Sequence, residues 1–570
     1  MNISSHINRI FLLLPCLLTV FTIIAQTNHA ISQKHPATPS TVYIADGYMD
    51  KLSYLPGDTA TVYISAAIFA NPYLVYLYSV NDEKVDSVET IIFSQGVTTP
   101  KPWMNGFGYQ PTFQYVIPTL PSGVYYWDQS RKIFFIVKDP LKNRDITIVY
   151  QTNTEAAYNN SGGKSLYDFN SHISPTDTLR SYVVSFQRPL SEWIIVNVRS
   201  YCEAFLQWFW KLGYSVQMIS DLDLEHYDEI ENSKILIVPG HSEYWSRQAR
   251  LNFDQFVNSG KDAMVLSGNT MWWQVRYKSN NTKLICYKDA AKDTNPDPLL
   301  QTINWPDPLL NYPVLNSIGA DFVHGAYGMK PVHGWYGYKV TRPGSPLLEG
   351  TNLQLNDTIA CQSQEYDGTI WADTTGNNFI ADTSALGFCK LELIGYDEGK
   401  SIYGYGPQKS FGTFVAFQKT MASGKIINTG FTNWCSKNGQ EGAIGGFGGK
   451  DSLIIKQITL NMVNKLLAGD PVFTTPVTPC TLSAEETPAE PASDISIYPN
   501  PSDGRFTVVF EHQPEQHQVE IFNIFGKPIL KSTLIGKEHS IDISGQPGGV
   551  YLLMISDGRK RVFRKMVVVG

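Results

Sequence analysis

Apolar and polar positions follow each other along this chain in four successive styles. The first is a run, IFLLLPCLLTVFTIIA from Ile10 to Ala25, preceded by Arg9 and ending on a small residue. It falls short of the ~20 residues that a membrane span needs. It matches a secretory signal peptide, with the cut expected between Ala25 and about Ala30. From Thr41 to about Pro140, short alternating runs are broken by turn signals. TVYIADGYMDKLSYLPGDTATVYISAA reads as strand, turn and strand around Pro56-Gly57-Asp58, and SGVYYWD and RKIFFIVKD read as closing strands. A β-sandwich of about a hundred residues fits this pattern.

From about Leu141 to Ala468 the style changes. The strand-like runs DITIVYQT, KILIVPG and DAMVLSG alternate with amphipathic stretches. CEAFLQWFWKLGY stops at Gly213 and RQARLNFDQFVNSGKD at Gly260, as helices do. Strands alternating with helices predict an α/β domain with a mostly parallel, amidotransferase-like sheet covered on both faces. Sites in such sheets form where loops leave the carboxyl ends of the strands. Residues from about Asp470 to Asp494 are rich in Pro, Thr, Glu and Ala and read as a linker. Beyond them, ISIYPNPSDGRFTVVF, QVEIFNIFGKPIL and HSIDISGQPGGVYLLMIS repeat a strand-turn-strand rhythm that predicts a second, small β-sandwich. The expected layout is a signal peptide over 1–30, a sandwich over 31–140, a catalytic domain over 141–469, a linker over 470–494 and a terminal domain over 495–570.

Composition narrows the classes of function. A formal net charge of −7 argues against nucleic acid or an anionic membrane as a main partner, because both need a basic face. Charged residues are only 17% and Tyr outnumbers Phe, 31 to 28, a profile that suits an exported β-containing protein. Cys16 lies in the signal run, after Pro15, which speaks against a lipid-anchored N-terminus. Cys202, Cys286, Cys361, Cys389, Cys435 and Cys480 remain. None form CxxC pairs, so a zinc site is not indicated. An exported chain permits disulfides, whose pairing the sequence leaves open.

Four clusters could carry chemistry. Thr152 to Tyr167 (TNTEAAYNNSGGKSLY) follows the strand ITIVYQ and reads as a polar loop; it lacks the spacing of a phosphate loop. Gly240 to Ser246 (GHSEYWS) crowds His241, Glu243 and Tyr244 at the end of ILIVP. Ser267 to Arg276 (SGNTMWWQVR) follows AMVL and contains Asn269. In Gln364 to Gly368 (QEYDG) two acids flank a tyrosine, and pattern alone favours a solvated turn there. His241 reads equally as a satisfied structural hydrogen-bonder or as a catalytic group, and Glu243 as a base or, more simply, as a charge in a helix first turn.

Two resemblances follow from these residues. The chain end resembles the type A C-terminal sorting domain of the type IX secretion system, through Tyr498-Pro499-Asn500-Pro501, Gly504-Arg505-Phe506, IFNIFG from Ile521 to Gly526, Gly549-Val550-Tyr551 and Lys565 to Val568. It implies passage through the outer membrane by that secretion machinery, and release or surface attachment. The four clusters, with DLDL from Asp221 to Leu224 among them, occur in the order found in the large (β) subunit of N,N-dimethylformamidase. That resemblance implies a mononuclear iron held by two tyrosines and a glutamate. Tyr244 and Glu365 match two of the ligands, and Tyr201 the third, with Tyr214 as its alternative. Three hard oxygen donors favour Fe(III) over zinc or copper. A phenol with pKa ~10 ligates once the metal drives off its proton. Such an ion polarises an amide carbonyl and makes a bound water nucleophilic. His241 and Asn269 are the expected hydrogen-bonders or proton shuttle around it.

The function expected from these readings is an exported, iron-dependent hydrolase of a small substrate with an amide-like C–N bond. The alternative is a surface protein that binds a glycan or peptide on the same scaffold without turnover. A cysteine-nucleophile amidohydrolase is a third class, but Cys202 lacks the strand-to-helix turn it needs. Self-association and a separate small subunit are left open.

Overall fold

The expected signal peptide and most of the expected linker lie outside the residues that the structure, a computed structural model, describes. These are 43–328, 333–373, 380–402, 410–438, 444–477, 495–510, 516–523, 528–556 and 561–568. The chain divides into two units, Met1–Cys480 and Thr481–Gly570.

In the first unit, two sheets share one core between Ile44 and Val137. One orders Ile44–Met49, Thr59–Ala66 and Phe113–Val116; the other orders Ser53–Tyr54, Ile133–Val137, Gly123–Trp127, Ala70–Ser79 and Lys84–Ile92. Strand alternation drives the pairing. Ala60, Val62 and Ile64 turn inward to meet Leu77, Trp127 and Phe135, while Thr59, Thr61 and Tyr63 turn away.

The centre of this unit is a sheet of nine strands. Its order is Val216–Ser220, Ile146–Tyr150, Ile235–Gly240, Asp262–Ser267, Lys425–Asn428, Ser410–Gln418, Lys390–Gly399, Tyr338–Val340 and Thr358–Ile359. The first five run parallel, but every later pairing is antiparallel. The expectation of an α/β domain with a mostly parallel, amidotransferase-like sheet is therefore overturned: the sheet is mixed and the chain is mostly β. The physical reason lies in the connections. Parallel neighbours need long crossovers, usually helical, whereas antiparallel neighbours need only short links. Crossover helices accompany the first strands, and the expectation extended that rhythm over the later ones, which lack it.

Helices do cover the parallel half. Ile235 and Ile237 face Phe205, Leu206 and Phe209 of Ser200–Trp210 and Ile458 and Met462 of Ser452–Ala468. Leu236 and Val238 face Phe253, Phe256 and Val257 of Arg247–Asn258. Strands buried on both faces read as continuous apolar runs, which is why ILIVP stands out so clearly in the sequence. Among the described cysteines, Cys202, Cys286, Cys361 and Cys435 are buried and free, and Cys389 is disulfide-bonded.

The second unit packs Ile495–Tyr498, Arg505–Phe510 and Glu538–Asp542 in one sheet and Pro528–Leu534, His517–Asn523, Gly549–Ser556 and Arg561–Val568 in another. Phe506, Val508, Val519, Ile521, Leu553 and Ile555 form their shared core.

Candidate active site

Three parallel strands, Ile146–Tyr150, Ile235–Gly240 and Asp262–Ser267, end at one edge of the central sheet. The loops leaving that edge carry the candidate residues. Gly240 turns the second loop at φ +82°, where a Cβ would press on Gln151 and Cys202, and so points His241 out of the strand line. The third loop passes so close to Glu365 that a Cβ on Gly268 would sit 2.6 Å from the Glu365 carbonyl oxygen. The next residue, Asn269, is left-handed at φ 49°, and its N–H and that of Thr270 donate to Asp367 at 2.9 and 3.1 Å.

Glu365 and Asp367 share one face of the buried strand Glu365–Gly368, while Tyr366 stacks on Trp335 with centroids 4.1 Å apart. The expected solvated turn is thus a buried strand. A π-helical turn, Ile194–Val198, precedes Ser200–Trp210, and its extra residue rotates that helix, Tyr201 included.

His241 is the hub. Its Nε2 lies 3.0 Å from Glu365 Oε2 and 3.3 Å from Glu243 Oε2. Its Nδ1 lies 3.2 Å from the Gly268 carbonyl, which can only accept, so Nδ1 carries a proton. Tyr158 Oη is 3.4 Å from Nε2, and the Tyr201 ring meets the imidazole edge-on at 5.4 Å. The groups are almost wholly buried. Burial alone would lower the histidine pKa, but Glu365 and Glu243 overcome it and push it up to about 9. Burial pushes Glu365 up to about 7 against the pull of His241. Glu243 is equally buried, yet His241, Lys288 and Tyr167 hold it below the usual carboxylate range.

Tyr244 belongs to a second cluster. Lys288 Nζ donates to its hydroxyl at 2.7 Å and lies 3.3 Å over the Tyr167 ring, with Trp273 on another side. Burial lowers the Lys288 pKa to about 8. Tyr167 donates to Glu243 Oε1, so Glu243 joins the lysine cluster to the imidazole cluster. The structure therefore brings His241, Glu243, Glu365 and Tyr201 together, with Asn269 beside Glu365. The contacts of Tyr244 run to Lys288, Tyr158 and Tyr167 rather than to Tyr201 or Glu365. Tyr214 stands apart, stacked on Phe209 and donating to Asn464.

Glu243 is no helix first-turn charge: Arg247–Asn258 starts beyond it and is capped by Ser246, which accepts from Ala249 N. Cys202 is buried with its thiol pushed well above its ordinary pKa, which suits packing rather than attack. The pair of acids in DLDL is structural. Asp221 accepts from Thr152 and Asn153, and Asp223 from Ser53, Ser220 and Lys138. Sequence reasoning assigned no role to Tyr158, Tyr167, Lys288 or Asp367. The first two stand within TNTEAAYNNSGGKSLY, whereas Lys288 comes after a short strand with no motif around it.

A cavity of about 340 Å³ lies elsewhere, between the sandwich segment Tyr48–Leu55 and Thr152, Glu155 and Arg188. None of His241, Glu243, Tyr244 or Glu365 lines it. Its Lys138 and Glu155 are already paired, with Asp223 and Arg199. The convergence of charged groups with open valence favours the histidine cluster as the site.

Two buried acids away from this cluster set a pH response. Burial pushes Asp221 and Asp397 up to about 7. Unfolded, they titrate near 4. Between pH ~4 and 7 the unfolded chain sheds protons that the folded chain keeps, so stability falls as pH rises. The raised His241 acts in the same direction, since its contribution is lost as pH climbs from about 6.5 to about 9. Denaturant unfolding of metal-free protein, followed by tryptophan fluorescence, is expected to give a lower midpoint at pH 8 than at pH 5. A flat or rising midpoint would contradict these assignments.

With this geometry in place, comparison with known proteins decides the family. The profile described as N,N-dimethylformamidase beta subunit-like, C-terminal, matches residues 84–440, well over half of the chain. The chain belongs to this family. The match opens inside the first sandwich. A second profile, the secretion system C-terminal sorting domain, matches residues 496–569 and marks the chain for secretion or display at the cell surface. No curated protein matches. A solved structure of a ThuA-like protein from Bacteroides uniformis is similar at 14% identity, covering 47% of this chain and 85% of that chain, with a TM-score of 0.25. At that score the likeness carries no argument. Within the dimethylformamidase-like region lie all the residues of the histidine and lysine clusters.

Proposed function

We propose that this exported family member hydrolyses an amide-like C–N bond, with His241 as the proton carrier. The observation that supports the reading is a single buried imidazole nitrogen facing two carboxylates, at 3.0 and 3.3 Å, at the carboxyl edge of a parallel strand set. Structural histidines rarely need two acids. A residue that must take a proton from water and pass it to a leaving nitrogen benefits from both, one to orient it and one to stabilise its charge.

The family resemblance implies a ferric ion, and the residues present fit a hard cation. Asn269 Oδ1 is a buried acceptor with no donor among the described residues. Glu243 Oε2 is buried without a well-formed hydrogen bond among the described residues, His241 Nε2 standing 3.3 Å away. Tyr201, Glu365 and Tyr244 are the residues that would hold the ion, Tyr244 only with its hydroxyl free of Lys288. When bound, the ion supplies Lewis acidity toward the carbonyl oxygen and acidifies a water.

The chain's own groups do the rest. Water adds to the carbonyl carbon while its proton passes to the Glu243–His241–Glu365 cluster. The C–N bond breaks, the proton goes to the nitrogen, and a carboxylic acid and an amine leave. In the metal-free chain Lys288 holds the Tyr244 hydroxyl, and the surrounding rings exclude bulk water. The mature chain is expected to carry a phenolate-to-iron charge-transfer band that Tyr201→Phe or Tyr244→Phe abolishes. A colourless, metal-free protein with an intact fold and no amide turnover would remove this reading and leave a binding protein.

A further inference from the structure

We infer that the cavity between the sandwich segment Tyr48–Leu55 and the helix Thr152–Tyr158 is a binding site for a small organic monoanion, a carboxylate on a short apolar body, with Arg188 supplying the charge that holds it. The inference stands apart from the hydrolase reading, because none of His241, Glu243, Tyr244 or Glu365 lines this cavity.

Arg188 is the unusual group. Three arginines are buried among the described residues, Arg188, Arg199 and Arg250. Arg199 pairs with Glu155, and the charge of Arg250 is offset by Asp254 and by the rings of Trp305 and Tyr312. Arg188 meets only backbone carbonyls. Its Nε donates to Ser185 O at 3.0 Å, its Nη1 to Ser161 O and Lys164 O at 2.8 and 3.0 Å, and its Nη2 to Ala156 O at 3.0 Å. A guanidinium has five N–H groups, so one on Nη2 has no acceptor among the described residues. Carbonyls satisfy donors without neutralising a charge. Burial, opposed by no acid, accordingly lowers the Arg188 pKa to about 9. A buried charge ordinarily has a counter-charge, and the cavity that Arg188 lines has room for one.

The rest of the lining sets the class of ligand. At about 340 Å³ the cavity is larger than a bare inorganic ion needs and lies in the range of small-molecule sites. Leu52, Leu55, Phe134, Phe186, Leu190 and Leu222 give it apolar wall. Lys132 faces Glu192 at 3.4 Å, and Lys138 faces Asp223 and Glu229 at 2.9 and 2.8 Å, so both are already paired. Lys51 is exposed, where water screens its charge. Asp50 and Asp58 also line the cavity, and their carboxylates accept from Tyr54, Thr61 and Leu55 rather than from a cation. Those two acids select against a second negative charge on the ligand. One carboxylate meets the open charge of Arg188, and an apolar body meets the leucine and phenylalanine wall.

The helix Thr152–Tyr158 separates this cavity from the histidine cluster. Thr152, Glu155 and Ala156 line the cavity, whereas Thr154 Oγ1 accepts the Glu243 N–H and Asn153 donates to the Tyr244 carbonyl. Occupancy of the two places can therefore be read separately.

Calorimetry on the mature protein tests this with hexanoate, neutral 1-hexanol and the dianion adipate. Hexanoate is expected to bind at least ~10-fold more tightly than hexanol, the effect of one charge-assisted hydrogen bond, and more tightly than adipate. Arg188→Met is expected to remove the preference for hexanoate. Leu55→Trp, which puts an indole into the cavity and leaves Arg188 in place, is expected to weaken hexanoate by about 10-fold or more. It decides the matter should Arg188→Met fail to fold, and the comparison of hexanoate with hexanol needs no variant. Equal affinities for those two, adipate as tight as hexanoate, or no binding at about 10 mM would each overturn the inference. Hexanoate binding unchanged by Leu55→Trp would place the carboxylate elsewhere and would overturn it as well.

Discussion

Replacing Glu155 by glutamine is expected to lower the stability of the first unit by about 3–5 kcal/mol, the usual cost of stranding one partner of a buried ion pair. Glu155 is 1% exposed and Arg199 is not exposed at all. The glutamate accepts from Arg199 Nε at 2.9 Å, from Nη2 at 2.7 Å and from Tyr150 Oη at 2.7 Å. Arg199 also faces the Phe134 ring at 4.7 Å and donates to the Arg131 carbonyl. Glutamine keeps the shape but leaves the guanidinium's charge uncompensated in a dry interior. The pair ties Thr152–Tyr158 to the turn before Ser200–Trp210, so it also fixes Tyr158 relative to Tyr201. All twelve tryptophans lie in the first unit, so their fluorescence reads its unfolding apart from the sorting domain. The double replacement Glu155→Leu with Arg199→Met should recover much of the loss, because removing both charges removes the penalty. A single variant as stable as the parent would mean that water reaches the pair.

Some of this fold and site is legible in local sequence, and some is not. ILIVP announces a strand buried on both faces, and GHSEYWS places His241 and Glu243 at its end, because a run of apolar residues followed by polar ones is a local signal. The antiparallel half of the central sheet gives no such signal. Strands such as Lys390–Gly399 and Ser410–Gln418 look like any apolar run, and their direction depends on partners distant in sequence. QEYDG reads as a solvated turn for the same reason: its burial comes from Asp321–Tyr327, which only the fold brings alongside. Lys288 is invisible because a lysine is ordinarily a surface residue, and only the rings of Tyr167, Trp273 and Tyr244 around it make it unusual. Asp367 likewise acquires meaning only through the two N–H groups it steadies beside Asn269.

His241→Asn is expected to reduce kcat on a hydrolysed amide by about 10²- to 10⁴-fold, the range for removing a general acid–base group. Asparagine can still donate to the Gly268 carbonyl, so the loop after Gly240 should keep its course. What it cannot do is carry a proton between water and the leaving nitrogen. Losing the imidazole also leaves Glu243 and Glu365 facing each other without the cation between them, and one of them will then take up a proton. Metal content separates two origins of a slow variant. Iron retained with kcat lost assigns His241 to proton transfer, whereas iron lost together with kcat assigns it to orienting Glu365. Glu365→Gln should lose both in either case, because that carboxylate both faces the imidazole and is a candidate ligand. Turnover by His241→Asn within a few-fold of the parent would refute the proton-carrier role and leave the two carboxylates to account for the chemistry.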